Sequence, residues 1–376
     1  NSNKITFDPT NTGSNGDILG GFEVQNDGAV GQIAIRRSTS TTSSYTTFET
    51  RATGGSLTEA LRIDASGNII IASTGGTLQT ATGGTGNLRL GEDAGDAVTG
   101  NFNVLVGKDS GTALEGGAGN VGLGYRTLYT SVAGDYNTAI GREALLTSNV
   151  SGNNYNVAVG AFAGKLVSTG IYNTLIGASA GDALTDADEN VAIGYSALST
   201  DTLGSHSVAV GPYALQTQNF TTATDSFNIG VGYNAGGAVT SGINNTLIGG
   251  LAGDALTGNG FDGSDNRVAG ADFNTALGYL ALTADTKGNR STGIGYGALQ
   301  SQNFTTATNS HNVAIGFKAG EVVQNSVNNT MLGANSGILT TTGHSNTFIG
   351  QDAGGSNVSG DSNIVIGNGI DAASAT

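Results

Sequence analysis

Asn137-Thr138-Ala139-Ile140-Gly141-Arg142-Glu143-Ala144 is the stretch whose reading decides the fold, because the chain repeats it. The phrase is an Asn or Ser, two residues, an aliphatic, a glycine, two more residues and a small residue. It returns at 190–197, 207–214, 312–319 and 346–353, so that Asn190, Ile193, Gly194 and Ala197, and again Asn312, Ile315, Gly316 and Ala319, take the places of Asn137, Ile140, Gly141 and Ala144. Sixteen such glycines run from Gly91 to Gly367, and ten of the fifteen steps between them equal the step from Gly177 to Gly194. A longer copy is laid over this one: 218–224 recurs at 302–308. Internal self-similarity on this scale marks a repeat architecture that grew by duplication.

A unit of this 17-residue length is too short for helical repeats, which need about 33. Around each glycine the pattern has period two. The residue before it is aliphatic, as in Ile140, Val159, Ile176 and Ile193, and two residues earlier stands Val or Thr, as in Thr138, Val157, Thr174 and Val191. Residues at alternate positions with these side chains belong to a strand and share one face. A short strand, a glycine turn, a second short stretch and a polar loop fill the unit. Stacking such units gives a parallel β-solenoid, about 70 Å long at roughly 4.8 Å per stacked strand. The fixed glycine calls for positive φ or a close backbone approach, and the small residue three places on calls for a thin interior. The Asn at the head of the unit has two readings: an amide ladder along the stack, or a residue that starts turns well.

The residue between the two strand positions is also apolar. Leu105, Leu175, Leu247, Met331, Phe348 and Val365 stand there. If the Val/Thr and aliphatic positions face inward, this stripe faces outward, and an apolar stripe along a rod needs a cover. Self-association about a closed axis supplies one, which makes these six residues the expected interchain contacts. Spacing alone does not set the number of chains.

Composition narrows the function. Gly supplies 63 of 376 residues, against a usual share of about 7%, while Pro occurs twice and Cys and Trp never. Collagen is excluded because the glycines lack a period of three. With 14 Lys and Arg against 29 Asp and Glu, the net charge is −15, unsuited to nucleic acid. Without Cys there is no disulfide framework or thiolate chemistry, and no run of 18 apolar residues spans a membrane as a helix.

The phrase at 137–144, and Ser-Val-Ala-Val-Gly-x-x-Ala at 207–214, resemble the head repeat of YadA-type trimeric autotransporter adhesins. The resemblance covers 87–367 and implies a left-handed parallel β-roll of about 16 turns in a parallel homotrimer. Before it, residues 1–86 alternate like strands around Arg36, Arg37, Arg51 and Arg62, and imply a short antiparallel β domain. Their Leu61-Arg62-Ile63-Asp64-Ala65-Ser66-Gly67-Asn68 is similar to a phrase of bacteriophage tail fibres. Together these resemblances imply a structural, non-catalytic trimeric fibre outside the cell, in a virion, that attaches to a host surface glycan or protein and joins neighbouring tail or fibre proteins. A bacterial adhesin head is the alternative. Residues 368–376 read as the tail of a truncated or processed chain.

Sites of chemistry are scarce. Glycine-rich runs such as 230–236 resemble dinucleotide loops only superficially, since each is the repeat itself and no helix follows. His206 and His311 share one register, where threefold symmetry brings copies together as a metal site requires, but they stand beside polar loops. Asp262 and Asp265 are weak Ca²⁺ candidates that match neither an EF-hand nor a nonapeptide repeat. No cofactor is expected. A polysaccharide-degrading tailspike and an ice-binding solenoid, with Thr138, Thr174 and Thr246 in register, are lesser alternatives. Binding is expected on the excursions from the regular period, which hold Phe220, Phe304, Phe261, Asp262 and Arg267.

Overall fold

The computed structural model describes residues 84–258 and 270–371, together with the backbone of six strands among residues 1–80. The chain divides into two compact units, 1–80 and 81–376. In the first, Lys4–Phe7, Ile18–Asn26, Ala29–Arg37, Ser44–Arg51, Thr58–Ile63 and Ile69–Ile70 pair antiparallel, each with the next. The side chains of this unit lie outside the described residues.

The second unit is a parallel β-solenoid. Sixteen strands of three residues, from Leu88–Leu90 to Ile364–Ile366, form one sheet in chain order. Their pairing keeps one register throughout: Thr174 lies beside Val191, Leu175 beside Ala192, and Ile176 beside Ile193. The longer steps do not disturb it, and Ile248 still pairs with Leu277 across the longest of them. Three of the longer steps add two-residue strand pairs, Gly134–Asp135 with Gly152–Asn153, Gly204–Ser205 with Thr224–Asp225, and Gly288–Asn289 with Thr308–Asn309. No helix occurs among the described residues, and so none is long and apolar enough to cross a membrane.

The strand faces are the reverse of the sequence expectation. Leu105, Leu175, Leu247, Met331 and Phe348 are fully buried within the single chain and Val365 nearly so. All but Leu105 join one continuous core, and Leu105 packs in a smaller cluster with Val98 and Leu114. They are not interchain contacts. The flanking Val, Thr, Ile and Leu residues point out instead, with Leu123, Ile176, Ile193, Leu277, Leu332 and Ile366 exposed. The period-two pattern is apolar on both faces, so alternation by itself does not tell inside from outside.

The core works because most turns put one large side chain in one of two places. Where the middle strand residue is Leu or Phe, the residue six positions on is glycine: Leu105 with Gly111, Leu175 with Gly181, Leu247 with Gly253, Phe348 with Gly354. Where the strand residue is Ala or Gly, a Leu often follows instead: Gly122 with Leu128, Ala139 with Leu145, Ala192 with Leu198, Ala276 with Leu282. A Cβ on Gly181 would come within 2.7 Å of Leu175 Cδ2 and 2.8 Å of Leu184 Cδ1. Close packing leaves room for one leucine per pair of places, not two. A few turns are small at both places, and there the adjoining turns fill the space: a Cβ on Gly164, six places after Ala158, would meet Leu175 Cδ1 at 2.7 Å and Leu145 Cδ2 at 3.0 Å. The small residue expected three places after the recurring glycine is buried as well, as in Ala144, Ala163, Ala180 and Ala197.

The recurring glycines satisfy both conditions that their spacing implied. Their φ lies between +122° and +143°, outside the range of other residues. They also meet the next turn backbone to backbone: a Cβ on Gly177 would stand 2.4 Å from the carbonyl oxygen of Gly194.

Of the two readings of the head Asn, the amide ladder is realised. Asn190 is buried; its Oδ1 accepts from the backbone N–H of Ser207 at 2.8 Å, and its Nδ2 donates to the Gly204 carbonyl at 2.9 Å and to Asn173 Oδ1 at 3.2 Å. The same links join Asn103 to Asn120, Asn156 to Asn173, Asn228 to Asn245, Asn312 to Asn329 and Asn346 to Asn363. Buried amides that satisfy one another and the backbone hold neighbouring turns in register.

Candidate functional site

A solenoid offers partners its surfaces rather than a cleft, and here three surfaces stand out. The first is the outer face of the long sheet, lined by the exposed aliphatics named above together with Leu90, Val104 and Ile364. The second and third are columns of aromatic rings along the two edges of that face. Tyr125, Tyr195, Tyr233, Tyr279, Tyr296 and Phe317 follow the recurring glycine, and Phe102, Tyr136, Tyr155, Tyr172, Phe227 and Phe273 precede the head Asn; all are exposed.

The residue before the head Asn is a left-handed corner in turn after turn, with φ of +58° at Tyr136, +51° at Tyr155, +60° at Tyr172 and +57° at Asn244. Non-glycine residues seldom adopt this conformation. Two other places in the turn share it, the second and fourth residues after the recurring glycine, as at Glu143 and Leu145. The corner side chains stack from turn to turn. The rings of Tyr136 and Tyr155 lie 5.2 Å apart and nearly parallel, Tyr155 and Tyr172 5.6 Å, and His206 and Phe227 5.0 Å.

His206 is a member of this column. Its Nδ1 lies 3.1 Å from Asp225 Oδ1 and its Nε2 3.5 Å from Glu189 Oε2, at 32% side-chain exposure. His311 holds the corresponding left-handed corner. His344 accepts the backbone N–H of Val327 at Nδ1, 3.1 Å away. Among the described residues no three His, Asp or Glu side chains gather as a metal site. Phe261, Asp262, Asp265 and Arg267 lie outside the described residues.

The two Phe residues expected in binding loops are not available for binding. Phe220 and Phe304 are only 6% and 4% exposed. Each folds back beside a buried polar network that replaces the ladder where Ser stands in place of Asn. At the first, Gln218 Nε2 donates to Asp201 Oδ2 at 2.6 Å and to Ser207 Oγ at 2.7 Å, while Gln218 Oε1 accepts from Asn228 Nδ2 at 2.9 Å. Asp201 Oδ1 accepts the backbone N–H of Phe220 at 3.2 Å and of Gly204 at 3.1 Å. Asp285, Gln302, Ser291, Asn312, Phe304 and Gly288 repeat the arrangement in the second copy of that stretch. Burial pushes the Asp285 carboxyl above the usual carboxylate range, against the pull of the bonds that it accepts from Gln302 and the backbone. These networks are structural. The loop Phe is the hydrophobic lid of a polar seam, a role that sequence spacing does not distinguish from an exposed contact.

Charge plays a smaller part. Glu143 is buried against Lys165, whose Nζ lies 2.9 Å from its Oε2, and this pairing holds its carboxyl below the usual range. Lys108 with Glu92 and Lys318 with Glu321 are ion pairs on the surface, where water screens them and they add little to stability.

Among the described residues, two of the surface hollows bear on binding. One, of about 520 Å³, is lined by Thr222, Thr224, Asp225, Phe227, Asn244 and Phe273, among others. The other, of about 410 Å³, lies among Ser301, Asn303, Thr305 and Gln324 and has no aromatic wall. Comparison of the chain with protein-family models, curated proteins and solved structures gives no match.

Proposed function

We propose that the chain is one strand of a parallel homotrimeric fibre, with the turns of its β-roll left-handed, and that the fibre attaches to a host cell surface as part of a bacteriophage tail fibre. Its work is mechanical reach and adhesion, without catalysis. Residues 1–86 serve as the adaptor toward neighbouring tail or fibre proteins, as their resemblance to fibre sequences suggests. The carrying observation is the outer sheet face. Leu90, Val104, Leu123, Ile176, Ile193, Leu277, Leu332, Ile364 and Ile366 leave an apolar stripe along the sheet, and aromatic columns border it on both sides. A contiguous apolar surface of this length marks an interaction site, and aromatic enrichment is typical of one. A rod with one such face per chain covers it by closing about an axis, because an open arrangement would lead to sheets or filaments.

Native mass by light scattering after size exclusion tests the assembly. A trimer gives three times the 37.3 kDa of one chain. A mass of one chain for folded protein would remove the interchain face and with it the fibre. Attachment is tested separately, by pelleting labelled native protein with intact bacterial cells of different surface types; the result against it is no adsorption to any of them.

A further inference from the structure

We propose that the hollow between Phe227 and Phe273 is a binding slot for one uncharged hexopyranose unit of a glycan. It deepens the attachment reading, on which its biological sense rests, by giving that reading a place and a ligand chemistry.

The slot is a missing rung in the aromatic column. Phe227, Asn244 and Phe273 are the corner residues of three successive turns: Asn244 N–H bonds the Ser226 carbonyl at 2.8 Å, and Phe273 N–H bonds the Ile243 carbonyl at 3.0 Å. Asn244 stands where Tyr155 stands between Tyr136 and Tyr172, so the middle ring is absent. Both flanking rings are covered on their far sides. His206 stacks on Phe227 at 5.0 Å, and the Arg290 guanidinium lies 5.7 Å from the centre of the Phe273 ring. Bracing from outside holds the rings in place, while their near sides border a hollow of about 520 Å³ that Asn244 also lines.

Size and chemistry select the occupant. Two steps of the stack separate the rings by about 9.6 Å, at roughly 4.8 Å each. A planar aromatic guest needs only about 7 Å, at ~3.5 Å contact on each side. A pyranose ring is thicker, with axial C–H bonds on both faces, and its C–H groups meet the negative faces of aromatic rings favourably. The polar lining suits hydroxyl groups: the Asn244 amide offers donors and an acceptor, Thr222 and Thr224 bring hydroxyls, and Asp225 brings a carboxylate. Aromatic walls joined to a few convergent polar groups are a common form of small-ligand site. Asp225, neighbouring Glu189 and a net charge of −15 disfavour acidic sugars.

The experiment is saturation-transfer NMR on the native full chain with three probes: methyl β-glucopyranoside, methyl β-galactopyranoside and methyl N-acetyl-β-glucosaminide. Transfer is expected to the ring C–H protons of at least one, with a dissociation constant on the order of 1 mM. Asn244→Tyr refills the column at a corner that already accepts Tyr at φ +58° and +60°, and should weaken binding at least tenfold without lowering the melting temperature. Phe227→Leu keeps apolar bulk, removes the ring and should weaken binding similarly, which covers the case in which Asn244→Tyr does not fold. Ser345→Tyr, a corner whose neighbours Asn328 and Ser362 carry no rings, should bind like the wild type. No transfer to any of the three probes, or undiminished binding in both slot variants, overturns the slot. If cells are still bound in that event, attachment stands and only its place is wrong; if cells are not bound either, the attachment reading fails with it.

Discussion

At Gly177 two constraints act on one atom. The backbone φ is +135°, and a Cβ would lie 2.4 Å from the Gly194 carbonyl oxygen in the next turn. Gly177→Ala must therefore strain its own backbone and separate two turns, and should cost about 3 kcal/mol, read as a lowered urea midpoint with an unchanged slope. Asn190 carries a different load. Replacing it by Ala leaves the Ser207 N–H and the Gly204 carbonyl without the partners that Asn190 gives them, at about 1–3 kcal/mol for each buried group left unsatisfied. Asn190→Ser should cost nearly as much. The Ser residues that occur naturally at this place, Ser207 and Ser291, are bridged by Gln218 and Gln302, and the turn of Asn190 has Asp201 where those turns have Gln. Urea titration of both variants checks this; a Ser variant as stable as wild type would show that the Gln bridge is not what replaces the ladder. The glycine and the head Asn were legible in the sequence, because each is repeated at a fixed place. The Gln bridge was not, since its partners come from three different turns.

Between neighbouring turns, the polar seams make stability depend on pH in two opposite senses. Asp285 has its folded pKa raised by burial. Its contribution is therefore fully present below the ordinary Asp range and is lost as pH rises through the raised value. Glu143 has its folded pKa lowered by Lys165, so its contribution is present above the ordinary Glu range and is lost as pH falls through the lowered value. Asp285→Asn should remove the first dependence alone, so that the variant gains less than wild type on acidification from about pH 7 to pH 4. Lys165→Met should remove the second, leaving a shallower loss toward low pH. Melting temperature against pH checks both, and parallel curves for wild type and Asp285→Asn would mean that Asp285 does not titrate as its burial implies. The seams also explain the loop Phe residues. A Phe in a polar excursion reads as a contact when only spacing is known, but Phe220 and Phe304 are buried beside the Asp201 and Asp285 networks, where their backbone N–H groups donate to the carboxyl oxygens.

For the whole molecule, inside and outside respond differently to substitution. Ile176→Asp with Ile193→Asp places charge on the outer sheet face, and Leu175→Ala removes the core side chain next to Ile176 in the same strand. The first pair should reduce the native mass from three chains to one while a single chain keeps its strand signature. The second should cost about 2–5 kcal/mol with the mass of the remaining folded protein unchanged. A trimer that survives both Asp substitutions would place the interchain face elsewhere. Repetition alone determined that the array at 87–367 is a parallel β-solenoid: a fixed short period, a strand of alternating residues and a glycine that never varies within the array admit little else, and the positions of all sixteen glycines were read directly. Which side of the strand faces the core was decided only by the tertiary structure. Both sides are apolar, and the deciding fact is the exchange of Leu for Gly between places six positions apart, as in Leu175 with Gly181 against Ala192 with Leu198, which has meaning only once those two places point into the same thin interior.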